Sequence, residues 1–115
     1  MIARLTLIAL LIGCGDDDDT PLPCDVDTVI EDNCRLCHNS DLDFGAPMAL
    51  ESWEDTQDLA PTDDSIRVWE LMQVRVHSPG SPMPPAGVGE LTAADLATLD
   101  AWFDASAPAG DTDCN

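Results

Sequence analysis

Asp27-Thr28-Val29-Ile30-Glu31-Asp32-Asn33-Cys34-Arg35-Leu36-Cys37-His38 places two thiols three residues apart, with an imidazole directly after the second. Val26, Ile30, Cys34 and Cys37 recur at i, i+4, i+8 and i+11, one stripe of a helix, and Thr28 with Glu31 fits a capping box. The pattern predicts a helix that runs into His38. Thiols at this spacing can each form a thioether with one vinyl group along a haem edge, and the adjacent imidazole then lies under the iron. Cys34 and Cys37 are therefore candidate attachment points for a c-type haem, and His38 is its candidate proximal ligand. Other chemistries use paired cysteines. A redox dithiol calls for a preceding strand and a βαβ context, which this pattern does not suggest. Zinc calls for a second close Cys or His pair, and only the distant His77 is left over.

Outward from that run, three further segments carry helical signals. Ser65 to Val76 places Val68, Trp69, Met72 and Val76 on one face, after the cap candidates Asp63 and Asp64. Thr92 as N-cap, Asp95 at N3, and Leu91 with Leu96 as a hydrophobic staple start another helix, whose apolar face is Leu96, Leu99 and Phe103, with Trp102 beside them. A shorter helix starts at Ser52 and covers Trp53 to Leu59. No alternating β pattern is long enough to compete, so the expected fold class is all-α.

Charge narrows the partners. Against 23 Asp and Glu stand four basic residues, all Arg, and the net charge of -19 argues against nucleic acid and against an anionic membrane surface. Arg4, the apolar run Leu5 to Ile12 and the small Gly13 before Cys14 have the order of a secretory signal, too short to span a bilayer. Leu11-Ile12-Gly13-Cys14 resembles the lipobox of bacterial lipoproteins, which implies a signal peptide at 1–13 and a lipidated Cys14; the plainer reading is an ordinary cleaved signal. Residues 14–24, with Asp16 to Asp19 and Pro21 and Pro23, are expected to form an extended tether. Residues 25–107 form the expected domain and 108–115 a small polar tail.

Iron held by His38 leaves a sixth position, for which Met83, His77, Met48, Met72 or nothing are the candidates. Met83 lies in Ser81-Pro82-Met83-Pro84-Pro85, within a His77 to Leu91 segment of four Pro and three Gly. Prolines restrict φ, so this loop is stiff enough to present a thioether at fixed geometry. His77 is the rival because imidazole binds iron more strongly, but it ends a predicted helix and also suits an exposed C-terminal position.

Taken together, these residues resemble the small mono-haem cytochrome c domains, related to class I cytochromes c, that occur in secreted and lipoprotein chains of bacteria. The likeness runs from about Asp27 to Ala107: Cys34, Cys37 and His38, Met83 in its Met-Pro-Pro loop, and Leu91-Thr92 through Trp102-Phe103. It implies three to four helices wrapped around one covalently bound haem c, with His38 and Met83 as iron ligands. The function it implies is one-electron transfer rather than catalysis, on the periplasmic side or cell surface. Trp53, Trp69 and Trp102 are expected to pack on the haem, whose apolar area would make up for an aromatic content of only 4 %. The acidic surface would steer a redox partner with a basic docking surface. With Cys14 lipidated and Cys34 and Cys37 attached, Cys24 and Cys114 are left to pair as a disulfide in an oxidising compartment, the alternative being two free thiols in loose tails. Two other functions stay open: an iron site without Met83 that reduces peroxide or senses a small ligand, and a haem-free structural lipoprotein.

Overall fold

Pro23, with φ fixed at -53°, begins α1 (Cys24–Asn33), and Asp25 and Asp27 in the first turn complement the helix dipole. Val26, Val29 and Ile30 form its buried face. The computed structural model describes residues 20–111 and 114. Residues 1–13, Cys14 and the acidic run Asp16 to Asp19 lie outside the described residues. Helix α1 ends sooner than its periodicity predicts. Asn33 turns its amide back onto the Val29 carbonyl at 2.8 Å, and Cys34 is already the C-cap. The Thr28 hydroxyl bonds the Cys24 carbonyl at 3.0 Å inside the helix instead of capping its start.

Ser52 caps α2 (Trp53–Gln57) as its sequence suggests, with Asp55 N donating to the Ser52 hydroxyl at 3.2 Å and Ser52 N to the Asp55 carboxylate at 3.1 Å. The chain then turns extended at Asp58. Leu59–Ala60 (β1) pairs antiparallel with Asp63–Arg67 (β2), with Leu59 opposite Arg67 and Ala60 opposite Asp63. Helix α3 (Val68–Val76) follows directly, and α4 (Ala93–Asp104) starts on the Thr92 hydroxyl, 3.0 Å from Asp95 N.

The sheet corrects the expectation of an all-α bundle wrapped around a haem. Among the described residues, four helices stand beside two strands, and only about 42 % of these residues are helical. The correction falls on Asp63 to Arg67. Asp63 accepts from both the backbone nitrogen and the hydroxyl of Ser65, a local arrangement that competes with a helical ladder, and the β-branched Ile66 suits a strand. β2 exposes every residue but Ile66 to solvent, so no apolar alternation marks it in the sequence.

The core gathers Val26 and Ile30 of α1, Leu99, Trp102 and Phe103 of α4, Val68 of α3, and Leu22, Leu50 and Ala107 from the connections. Helices α1 and α4 pack against each other, and α3 packs on α4. After α4, Ser106 and Ala107 adopt positive φ of 67° and 51° and reverse the chain, with Ala107 N bonding the Trp102 carbonyl at 2.9 Å. The returning segment is then tied down. Trp53 donates to the Ala107 carbonyl and Trp102 to the Pro108 carbonyl, each at 2.9 Å, and Gly110 N reaches Pro21 O at 2.8 Å. A Cβ at Gly110 would lie 2.5 Å from the Leu22 carbonyl oxygen, so only glycine allows this approach. The Cys24–Cys114 disulfide, with Cα atoms 5.2 Å apart, closes the same end. Residues 21–24 and 108–110, within the tether and tail that the sequence suggests, pack against the folded body. Among the described residues, no helix is long and apolar enough to cross a membrane.

Candidate functional site

Beyond α1 the chain continues through turns: Cys34 N and Arg35 N both bond the Ile30 carbonyl, at 2.8 and 3.2 Å, and Cys37 N and His38 N both bond Cys34 O, at 3.3 and 3.0 Å. His38 is then gripped by the segment Met48 to Glu51. Leu50 N donates to the His38 carbonyl at 2.8 Å, and His38 Nδ1 lies 2.8 Å from Met48 O. A carbonyl only accepts, so in the neutral ring the Nδ1 proton belongs to this bond and Nε2 carries the lone pair. No hydrogen bond to Nε2 is formed among the described residues.

Arg35, inside the motif, fixes the gripping segment. Its Nε donates to Leu50 O at 2.8 Å, Nη1 pairs with Glu31 at 2.8 Å and Nη2 with Asp27 at 2.7 Å, with the side chain only 10 % exposed. These bonds to two carboxylates hold the guanidinium charged, against the cost of burial, and its pKa lies above the ordinary value. The sequence carries a signal for this role: Glu31 and Asp27 lie one and two helical turns before Arg35.

Cys34, Cys37 and His38 line a cavity of about 550 Å³, and Met83 lines the same cavity from the proline loop. The walls are mostly apolar: Leu71, Met72 and Val76 come from α3, Leu99 from α4, and Leu50 and Val68 from the core. Both thiols are unpaired and partly buried. Burial pushes the Cys34 thiol up to about 11, against the opposing pull of Arg35, so it rests protonated at neutral pH. The proline loop is anchored by Met83 N to Arg75 O at 3.1 Å and by Ser81 N to the Ser78 hydroxyl at 3.1 Å. The Met83–Pro84 peptide is cis.

The other sequence candidates separate clearly. Met48 and Met72 also line the cavity. His77 does not; it caps the end of α3, and its Nε2 lies 2.7 Å from Asp100 of α4 on the surface. Nor do Trp53, Trp69 and Trp102, expected to pack on a haem. They pack on the core, where the indoles of Trp53 and Trp102 hold the returning C-terminal segment. Among the described residues, no group of three or more His, Cys, Asp or Glu is arranged to hold a metal ion, so the motif is not a closed protein-only cage. Compared with family models, curated proteins and solved structures, the chain matches none.

Proposed function

We propose that the chain is a one-electron carrier, resembling the small mono-haem cytochromes c, that holds one haem c through thioethers at Cys34 and Cys37. His38 and Met83 would hold its iron. The observation that carries this reading is the shared cavity: two unpaired thiols, an imidazole with its Nε2 lone pair unengaged, and a thioether in a stiff loop all line one largely apolar space. That volume lies within the range of cofactor pockets. When bound, the group supplies a reversible one-electron change at iron.

The chain's own residues prepare for it. Met48 O fixes the orientation of the His38 ring and its neutral tautomer. Met83 offers a soft sulfur that favours the lower oxidation state. Leu71, Val76 and Leu99 give the space apolar walls, which lower the dielectric felt by a bound group. The acidic surface steers a basic redox partner, with an effect that weakens as salt rises. Residues 1–13 direct export, and Cys14 is the lipid anchor that holds the domain at a bacterial membrane. Haem staining of the band after denaturing electrophoresis tests the reading: a stained wild type and an unstained Cys34→Ala/Cys37→Ala chain support it, and an unstained wild type refutes it.

A further inference from the structure

Three arginines lie among the described residues of this acidic chain, and they are spent differently. Arg35 is held by Asp27 and Glu31. Arg67 is exposed and donates to the Gln57 carbonyl. Arg75 of α3 is partly buried, lines the cavity and forms no ion pair among the described residues. Its one side-chain hydrogen bond there is long, 3.4 Å from Nη1 to Ser81 O. Asp32, exposed on α1, is the one acid in the lining, and no ion pair joins it to Arg75. A fork of five donors on a mostly apolar wall, with most of them unused, suits a planar anion.

We infer that Arg75 is the anion-anchoring residue of this cavity: it pairs with a carboxylate at the edge of the bound group and keeps that carboxylate ionised. The inference rests on the haem reading, since haem carries carboxylate side chains on one edge. A carboxylate brought into an apolar cavity without a counter-charge is driven toward its protonated form. Arg75 prevents this from the residue that also braces the ligand loop, because its own carbonyl accepts from Met83 N at 3.1 Å and from Ser78 N at 3.2 Å.

The test is redox titration of the haem-loaded wild type, Arg75→Gln and Arg75→Lys from about pH 5.5 to about pH 8, above the ordinary carboxyl range, with redox-difference infrared spectra of the carboxyl groups. An unpaired carboxyl binds its proton more tightly when iron has lost one positive charge, so reduction takes up a proton and the potential falls as pH rises. Wild type and Arg75→Lys are expected to give flat profiles. Arg75→Gln is expected to slope downward and to show a protonated-carboxyl band that the other two lack. Asp32 and His38 are the other titratable side chains of the lining besides the two thiols; Asp32→Asn is expected to keep the flat profile, and a slope abolished by it in the Gln background would transfer the titration to Asp32 and overturn the assignment. Superimposed flat profiles for wild type and Arg75→Gln would overturn the role of Arg75 and leave the haem reading standing, whereas a wild type that carries no haem would overturn both. If Arg75→Gln does not fold, the wild type decides alone: a sloping profile with a protonated-carboxyl band overturns the inference, and a flat profile without one supports it.

Discussion

His38 Nδ1 lies 2.8 Å from the backbone oxygen of Met48, while the backbone oxygen of His38 accepts from Leu50 N at the same distance. The two bonds grip one residue by ring and by main chain, so the imidazole can neither flip nor change tautomer without breaking a contact. Arg35, bonded to Leu50 O and to two carboxylates of α1, keeps the grip closed. The orientation of His38 is thus tied to Arg35, three residues before it.

Replacing Arg35 by Met keeps most of the aliphatic stem but removes every one of these bonds. A largely buried guanidinium with several charge-assisted partners carries about 2 to 4 kcal/mol. Urea denaturation of the purified protein is expected to show a loss of that size. A loss under about 0.5 kcal/mol, typical of an exposed pair, would mean that the grip on His38 does not depend on Arg35.

Met83 and His77 make opposite predictions as ligands. Met83→Ala is expected to abolish the long-wavelength sulfur-to-iron absorption of the oxidised protein, lower the midpoint potential and admit cyanide or carbon monoxide quickly. His77→Ala removes only a surface pair with Asp100, worth at most about 1 kcal/mol, and is expected to leave the spectrum and potential unchanged. The reverse pattern would move the sixth ligand to His77.

The Cys24–Cys114 disulfide spans 90 residues and closes the end where Pro21 meets Gly110. In the chain-entropy account a loop of this size stabilises by about 4 to 5 kcal/mol. Thermal unfolding of the Cys24→Ser/Cys114→Ser protein is expected to fall accordingly, with the haem spectrum retained because neither residue lines the cavity. An unchanged melting temperature would show that the indole and backbone bonds hold this end without the disulfide.

Trp102→Phe keeps a ring in the core but leaves the Pro108 carbonyl without the indole donor that now lies 2.9 Å away. The expected loss is about 1 to 2 kcal/mol. Hydrogen exchange of the Gly110 amide is expected to accelerate, because its bond to Pro21 depends on the same returning segment. Unaltered exchange at Gly110 would separate the two contacts.

What the sequence made legible was what local chemistry decides. Ser52 and Thr92 announced α2 and α4 because a hydroxyl at the N-cap bonds a backbone amide three residues on. Met83 stood out because prolines flank it on both sides. Asp63 to Arg67 failed because the deciding bonds, within the Asp63–Ser65 turn and across to β1, leave no apolar period to read. The end of α1 at Asn33 failed for a related reason: the stripe through Cys34 and Cys37 faces the cavity along a turn, which has nearly the same spacing as a helix. The role of Trp53 and Trp102 was invisible because their partners, the carbonyls of Ala107 and Pro108, come into reach only after Ser106 and Ala107 reverse the chain.

The central claim, a haem covalently held at Cys34 and Cys37, is tested most directly by the intact mass of the protein purified from cells that attach c-type haem. The expected mass is raised by one haem, with the increment mapped by fragmentation to the peptide containing Cys34 and Cys37 and absent from the Cys34→Ala/Cys37→Ala chain. An unmodified mass, with Cys34 and Cys37 recovered as free thiols or joined to each other, would contradict it.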